Sequence, residues 1–181
     1  MPSLNKNKDD TEDIEDKEGK EGKEETEGPM EEDILNRLIL RPLTIRDLDG
    51  IVEIDRKVLG KLRREYWRKK IELPNPRYPL SCLGAELDGK IIGFIVGEVS
   101  GWEFGVPDTI GWISTIGVDP AFQHKGVAKQ LSQEYIKNLK KIGVSIVYTL
   151  VNWNDWDLLK FFRAMGFTRG GDMINLELKI D

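Results

Sequence analysis

Short apolar runs and amphipathic stretches follow one another along the chain from residue 38 onward. Ile110–Val118 has the clearest pattern of a strand, because β-branched and aromatic residues dominate it and Asp119-Pro120 ends it. An amphipathic helix is predicted from Val127, since apolar side chains recur there at helical spacing between polar ones. They are Leu131, Tyr135, Leu139 and Ile142. The pattern therefore indicates a strand, a short turn and a long helix.

The remaining elements follow from the same periodicities. We expect a first strand over residues 38–43, followed by a helix capped by Thr44 that continues to Asp55. Two more strands, Cys82–Leu87 and 90–99, form a hairpin across Asp88-Gly89. Further predictions are a helix over 61–71, a strand over 145–151, a helix over 155–165 and a closing strand over 173–180. Together they predict an α/β fold, a mixed sheet with helices on both faces.

Composition divides the chain into two parts. Residues 1–33 carry fourteen acidic and five basic side chains, a net charge of −9, which leaves +4 for the rest of a chain of net charge −5. Because this segment has almost no apolar content, we expect a disordered acidic tail that aids solubility or, alternatively, binds a partner. Residues 34–181 are long enough for one domain with a substantial core.

Several classes of protein are excluded by the sequence. No stretch is apolar enough to cross a membrane, and the charged N-terminus does not resemble a signal peptide, so a cytoplasmic protein is expected. Cys82 is the only cysteine and His124 the only histidine. An internal disulfide is therefore excluded, and we expect no metal site.

The turn between the predicted strand and the long helix has the features of an anion site. Gly126 permits a tight turn and leaves room for a ligand, and the first N–H groups of the following helix lack intrahelical partners. The turn lacks the Gly-Lys-Ser/Thr of a nucleotide P-loop and the three glycines of a dinucleotide-binding fold. A phosphate or diphosphate ligand of another kind is therefore predicted.

Residues 123–128 match the Gln/Arg-x-x-Gly-x-Gly/Ala signature, and on it the chain resembles the GCN5-related N-acetyltransferases. The resemblance includes the preceding strand, the following strand and last helix, and the terminal Met165-Gly166-Phe167, and it covers about residue 38 to the C-terminus. It implies a mostly antiparallel sheet flanked by helices, with a cleft where the fourth and fifth strands splay apart. Acetyl-coenzyme A (acetyl-CoA) is the implied cosubstrate.

The resemblance also implies where acetyl-CoA binds. Its pantetheine would lie along Ile116, Gly117 and Val118, and Phe162 falls at a cofactor-contacting position of the last helix. Asp155 falls where the family often has an asparagine that contacts the cofactor, so either Asn154, one residue earlier, makes that contact or it is lost. The Phe162 position usually carries a tyrosine that returns a proton to the departing thiolate, and phenylalanine cannot do so. Residues expected at the diphosphate are Gln123, His124, Lys125, Gly126, Val127, Ala128 and Lys129.

The implied reaction is direct attack of an amine on the thioester in a ternary complex. Many family members use a glutamate on or beside the fourth strand as general base, but no carboxylate occurs in Ile110–Val118. Glu98, acting through water, and Asp108 are the nearest candidates. Tyr148 and Tyr135 are alternatives for the missing acid, although core packing is the favoured interpretation of both.

Three functions remain open from the sequence. The first is an N-acetyltransferase acting on a primary amine: a protein N-terminus, a lysine or a small amine. The second is a non-catalytic acyl-CoA-binding module. The third uses the basic residues between 56 and 70 to bind nucleic acid, which the scarcity of aromatic residues beside them argues against. Four tryptophans near the expected cleft (102, 112, 153 and 156) could favour an aromatic acceptor, and the sequence leaves a homodimer open.

Overall fold

The structure is a computed structural model, and it describes residues 29–72, 81–100, 110–170 and 178. One five-stranded sheet lies at its centre, with the strands in chain order from edge to edge. The second, third and fourth strands each run antiparallel to the strand before them, whereas the fifth runs parallel to the fourth. The strands are β1 (Ile39–Pro42), β2 (Cys82–Leu87), β3 (Lys90–Ser100), β4 (Ile110–Val118) and β5 (Ile146–Thr149).

Five α-helices accompany this sheet in the described part of the chain. A 3₁₀ turn, Ile45–Asp47, leads into the second of them, because the Asp47 carboxylate accepts hydrogen bonds from the Thr44 N–H at 2.8 Å and from its hydroxyl at 3.0 Å. The helices are α1 (Pro29–Arg37), α2 (Leu48–Leu59), α3 (Arg64–Glu72), α4 (Val127–Lys141) and α5 (Trp156–Ala164).

One face of the sheet is covered by α2 and α3. Trp67 of α3 is fully buried and stacks edge-on against Phe94 of β3, with ring centroids 4.9 Å apart. The ion pair between Asp55 and Arg63 ties the end of α2 to the start of α3, with N–O distances of 2.9 and 2.6 Å. This pairing holds the pKa of the Asp55 carboxyl below its usual range.

The opposite face is covered mainly by α4. Leu131 and Tyr135 of α4 are fully buried against β2, β3 and β4, and the N-terminal helix α1 contributes Ile34 to the same apolar cluster. The Tyr135 hydroxyl donates to the Trp112 carbonyl at 2.8 Å, which satisfies its only polar atom. A core on each face is what an amphipathic α4 and a sheet apolar on both sides require.

The predicted fold class is confirmed, including the helices on both faces and the mostly antiparallel sheet. The helix predicted over 61–71 begins at Arg64 instead, and Asp155 caps α5 rather than starting it. Nothing in the hydrophobic pattern predicted α1, which includes the last five residues of the segment expected to be a tail. Most of that segment, and the closing strand predicted over 173–180 except Leu178, lie outside the described residues.

Candidate functional site

The fourth and fifth strands pair over only four residues before they separate. Ile110 lies opposite Ile146 and Ile113 opposite Thr149, where β5 ends, while β4 continues to Val118. The Thr149 hydroxyl closes the paired part by donating to the Ile113 carbonyl at 3.1 Å. Along residues 114–118, the β5 side of β4 therefore faces no other strand of the described chain, and its backbone there can pair with a ligand, except for the Val118 carbonyl, which accepts a hydrogen bond from the Gln123 side chain.

A β-bulge marks the point of separation. Val96 pairs with Thr115, and the next residue of β3, Gly97, pairs with Ile113, so Ser114 is an extra residue in β4. Its side chain is exposed. Because a bulge rotates the local backbone, the peptide groups on either side of Ser114 are aimed differently from those of a regular strand. The sequence analysis did not find this feature, since no residue type marks it.

The turn after β4 is held by its own side chains. The Asp119 carboxylate accepts the Ala121 N–H at 3.0 Å, which fixes the 3₁₀ turn Pro120–Phe122. Gln123, the first residue of the predicted signature, directs its side-chain amide back to the Val118 carbonyl at 3.1 Å. Gln123 thus fastens the turn to the end of β4 and contributes its backbone, rather than its side chain, to any ligand.

Residues 123–126, here called the anion loop, end at the N-terminus of α4. His124 and Gly126 both have left-handed backbones, with φ of +59° and +74°. Within the described residues, none of the four loop N–H groups donates a hydrogen bond to another part of the chain. Free N–H groups at the positive end of a fifteen-residue helix form the kind of site that binds phosphate.

The basic side chains near the anion loop are held to different degrees. Lys125 donates to the Ala121 carbonyl at 2.9 Å and lies over the Phe122 ring, so it stiffens the turn. Lys57 of α2 is paired with Asp119 at 2.7 Å. Lys129, one turn into α4, has an exposed side chain and can reach a bound anion. The anion loop therefore relies more on its backbone than on neighbouring charge.

Three side chains form a row across the sheet next to the separation. Glu98 of β3 lies opposite Trp112 of β4, which lies opposite Tyr148 of β5. Strand alternation places this row on the face covered by α2 and α3, because Phe94 and Val96 of β3 pack there. The rings of Trp112 and Tyr148 have centroids 5.2 Å apart. The exposed Glu98 carboxylate and the half-buried Tyr148 phenol are the titratable groups of this row.

Phe162, at the position of the family's usual acid, and Tyr135, one of its two possible substitutes, both lie in the core. Phe162 of α5 is 4% exposed and packs edge-on against Phe161 and Phe167, at ring distances of 5.2 and 5.1 Å. Tyr135 is completely buried, and burial raises the pKa of its phenol. Tyr135 therefore has a structural role, and Tyr148 is the tyrosine with access to the cleft.

The connection from β5 to α5 lines an open cavity of about 430 Å³. The Asn154 side chain is exposed there, while its N–H bonds to Asn152 and the Asp155 carboxylate caps α5 by accepting the Leu158 N–H at 3.1 Å. Trp153 and Trp156 are 75% and 61% exposed, with ring centroids 6.4 Å apart. Of the four tryptophans predicted near the cleft, Trp102 lies outside the described residues.

The basic cluster considered as a nucleic-acid surface is largely paired. Five of its arginine and lysine side chains form ion pairs with acidic partners in the same region or with Asp119. They are Arg56, Lys57, Arg63, Arg64 and Arg68. Lys61, Lys69 and Lys70 are the other three basic residues of the cluster, so ion pairs offset more than half of the positive charge that binding to a phosphate backbone would use. The structure therefore gives no support to the nucleic-acid function.

The structure brings the predicted cofactor-contacting residues of β4, the anion loop and the start of α4 to one side of the separated strands. Glu98 lies in the neighbouring row, whereas Asp108 lies outside the described residues. Leu35 was missed: its side chain lies against Gly126 and occupies the space that was expected to receive a ligand. The signal that could have found it, an apolar pair at Ile34 and Leu35 in an acidic segment, is weak.

Comparison with known proteins places this site in context. The model of the acetyltransferase (GNAT) family matches residues 48–167, two thirds of the chain. A mycothiol acetyltransferase from Thermomonospora curvata is 32% identical over 91 residues, which cover 50% of this chain and 29% of that protein. The chain thus spans less than a third of the length of that relative.

Solved structures share the fold. An aminoglycoside acetyltransferase from an uncultured soil metagenomic sample, in complex with trehalose, superimposes with a TM-score of 0.65 at 19% identity, over 82% of this chain and 99% of that one. The ribosomal-protein-S18-alanine N-acetyltransferase from Escherichia coli gives 0.62 at 18% identity, over 74% and 79%. At these identities the likeness is one of fold. Among the described residues, no helix is suited to span a membrane and no cluster of side chains is placed to hold a metal ion.

Proposed function

Because the chain belongs to the GNAT acetyltransferase family, we propose that it transfers an acetyl group from acetyl-CoA to a primary amine by direct attack in a ternary complex. The observation that carries this proposal is that two adjoining backbone segments have hydrogen-bonding groups without a partner in the described chain. Along residues 114–118, β4 has β3 on one side and no strand of the described chain on the β5 side, and the adjoining anion loop has free N–H groups at the N-terminus of α4. One segment suits the amides of pantetheine, and the other suits a diphosphate.

The residues of this chain would divide the binding between them. Ile116, Gly117 and Val118 would pair with pantetheine, and the anion loop with Val127, Ala128 and Lys129 would hold the diphosphate. Gly117 has a packing reason of its own, since a Cβ at this position would lie only 2.8 Å from the buried Phe94 ring. Asn154 lines the cavity at the far side of the cleft. A backbone N–H near the bulge at Ser114 would stabilise the negative charge that develops on the carbonyl oxygen.

Proton transfer would fall to the row across the sheet. The Glu98 carboxylate is exposed and would accept the proton of the attacking amine through water, while the Tyr148 phenol would donate to the departing thiolate. A thiol with a pKa of ~8.5 is a tolerable leaving group, so the loss of the tyrosine at Phe162 slows this step without preventing it.

With a general base that acts only through water and no tyrosine at position 162, the site favours an acceptor amine that loses its proton easily. An α-amine has an unperturbed pKa of ~7.7–8.0, against ~10.4 for a lysine side chain. At neutral pH a substantial fraction of α-amines is already neutral, and a general base adds little. We therefore propose that α-amino groups, as at a protein N-terminus or on a small molecule, are acetylated in preference to lysine side chains, and that the reaction takes place in the cytoplasm.

The test compares two peptides of one sequence that differ only in which amine is free. One has a free N-terminus and an acetylated lysine, and the other has an acetylated N-terminus and a free lysine. Release of free thiol from acetyl-CoA, with mass spectrometry of the peptide, measures transfer to each. Faster acetylation of the free N-terminus is expected. Faster reaction at lysine would contradict the preference, and tight binding of acetyl-CoA without turnover on any amine would support a non-catalytic acyl-CoA-binding module.

A further inference from the structure

Helix α1 lies directly against the anion loop. A Cβ placed on Gly126 would meet Leu35 at 3.1 Å from Cδ1, 3.3 Å from Cδ2 and 3.7 Å from Cγ, so all three of its nearest atoms belong to Leu35. The leucine side chain thus fills the space beside the glycine where any other residue would project. This contact comes from outside residues 48–167, the part that matches the family model.

Leu35 is not a residue of the core. It is half-buried, and neither of the two apolar clusters in the described chain includes it, whereas the neighbouring Ile34 is 7% exposed and belongs to the cluster beneath α4. Ile34 therefore anchors α1, and Leu35 is left to contact the loop. Arg37 adds ion pairs to Asp33 and to Asp88 at the hairpin turn. With only Leu38 between α1 and β1, the helix has little freedom to swing away.

Gly126 is the loop residue whose backbone has the most freedom to change. Its φ of +74° is accessible to glycine with little strain, and so are many other conformations. Its carbonyl accepts the Gln130 N–H at 3.0 Å and so starts the hydrogen bonds of α4. A rotation at Gly126 would turn the N–H groups on both sides of it, and these are the groups expected to face the diphosphate. Something must hold this glycine if the groups are to be oriented in advance.

We propose that Leu35 is a positioning residue for acetyl-CoA: it closes one side of Gly126, fixes the direction of the anion-loop N–H groups, and leaves the side toward the separated strands open to the diphosphate. The inference rests on the proposed function, because it takes a coenzyme A diphosphate as the ligand of the loop. If the anion loop is already oriented before binding, less conformational entropy is lost when the ligand binds, and the affinity is higher. The contribution of Leu35 therefore appears in affinity for the diphosphate part of the molecule alone.

The experiment measures binding of two ligands by calorimetry, with competition where binding is weak. Acetyl-CoA contains the diphosphate, and S-acetylpantetheine lacks it. Leu35→Ala is compared with Leu38→Ala, which removes the same atoms from a half-buried leucine that packs against the core. Leu35→Met is the conservative variant, since methionine can refill the space. Thermal melts of each variant establish that it is folded.

Leu35→Ala is expected to weaken acetyl-CoA binding about five- to tenfold. This loss corresponds to the free energy of immobilising one or two side chains on binding. S-acetylpantetheine should bind to this variant as to the unmodified protein, Leu35→Met should restore acetyl-CoA binding, and Leu38→Ala should leave both ligands unaffected. Equal weakening of both ligands, or none, would overturn the positioning role. Failure of the unmodified protein to bind acetyl-CoA would instead overturn the proposed function itself.

Discussion

Replacing Gly126 by alanine should be more damaging than the same replacement at Gly60, and the difference measures the contact with Leu35. Both glycines have left-handed backbones, with φ of +74° and +70°, and at Gly60 a Cβ would meet nothing within 4 Å. Gly60→Ala therefore incurs the backbone penalty alone, about 1–2 kcal/mol. Gly126→Ala incurs the same penalty and places its Cβ 3.1 Å from Leu35, which adds about 1–2 kcal/mol of overpacking.

Urea denaturation of the two variants gives the free energies of unfolding, and thermal melts should separate them by roughly 2–8 °C for a chain of this size. The same substitution in a Leu35→Ala background provides the control: with the leucine side chain shortened, Gly126→Ala should cost no more than Gly60→Ala. The reasoning fails if the two single variants are equally stable, or if the excess cost of Gly126→Ala persists once Leu35 has been shortened.

Three further outcomes are expected. Glu98→Gln should lower kcat for a lysine side-chain acceptor by about 10²-fold and should affect an α-amine acceptor much less, and the loss should shrink at high pH where the amine is already neutral; an unchanged pH–rate profile with the lysine acceptor would exclude Glu98 as the base. Residues 1–28 carry a net charge of −6 and join α1 roughly 9 Å along the helix from Leu35. Their removal should strengthen acetyl-CoA binding a few-fold at low salt and leave it unchanged at high salt. If the truncated and full-length proteins bind equally well at both salt concentrations, the electrostatic argument is refuted. Arg63→Met should cost about 2–3 kcal/mol at pH 7. The pKa of Asp55 is lower in the folded protein than in the unfolded chain, so the ion pair contributes its full stability above pH ~3.9 and loses it as the pH falls through the folded-state pKa. The urea midpoints of Arg63→Met and of the unmodified protein should therefore converge in acid.

The elements with strong periodicity were predictable because their local pattern and their tertiary environment agree. The Ile110–Val118 strand was predicted with its observed bounds, and α4 begins at Val127 as expected, because Pro120 and Gly126 punctuate the chain where the backbone changes direction. The start of α3 was predicted three residues early, since its N-terminus is set by the ion pair of Arg63 with Asp55, a partner eight residues away. Such a pairing leaves no trace in hydrophobic periodicity.

Two features of the site depend on contacts between distant residues and were not predictable. The bulge at Ser114 is a one-residue shift in the register of β3 and β4 between Val96 and Gly97. Serine has no conformational preference that would indicate a bulge. Helix α1 has few apolar residues in a strongly acidic segment, so composition favoured a tail. Its stability comes from Ile34 entering the core beneath α4, which is a property of the folded sheet rather than of the segment.

The glycine of the anion loop shows how a correct motif can carry an incomplete physical reason. A tight turn and a place at the start of α4 were expected for Gly126, but the space into which its side chain would project is filled by Leu35. With the proposed role of Leu35, a diphosphate approaches the loop from the side of the separated strands, where β4 has no partner strand of the described chain on its β5 side. In this proposal Leu35 and the strand edge act together, because Leu35 closes one side of the loop and the edge of β4 provides backbone groups for a pantetheine arm on the other side.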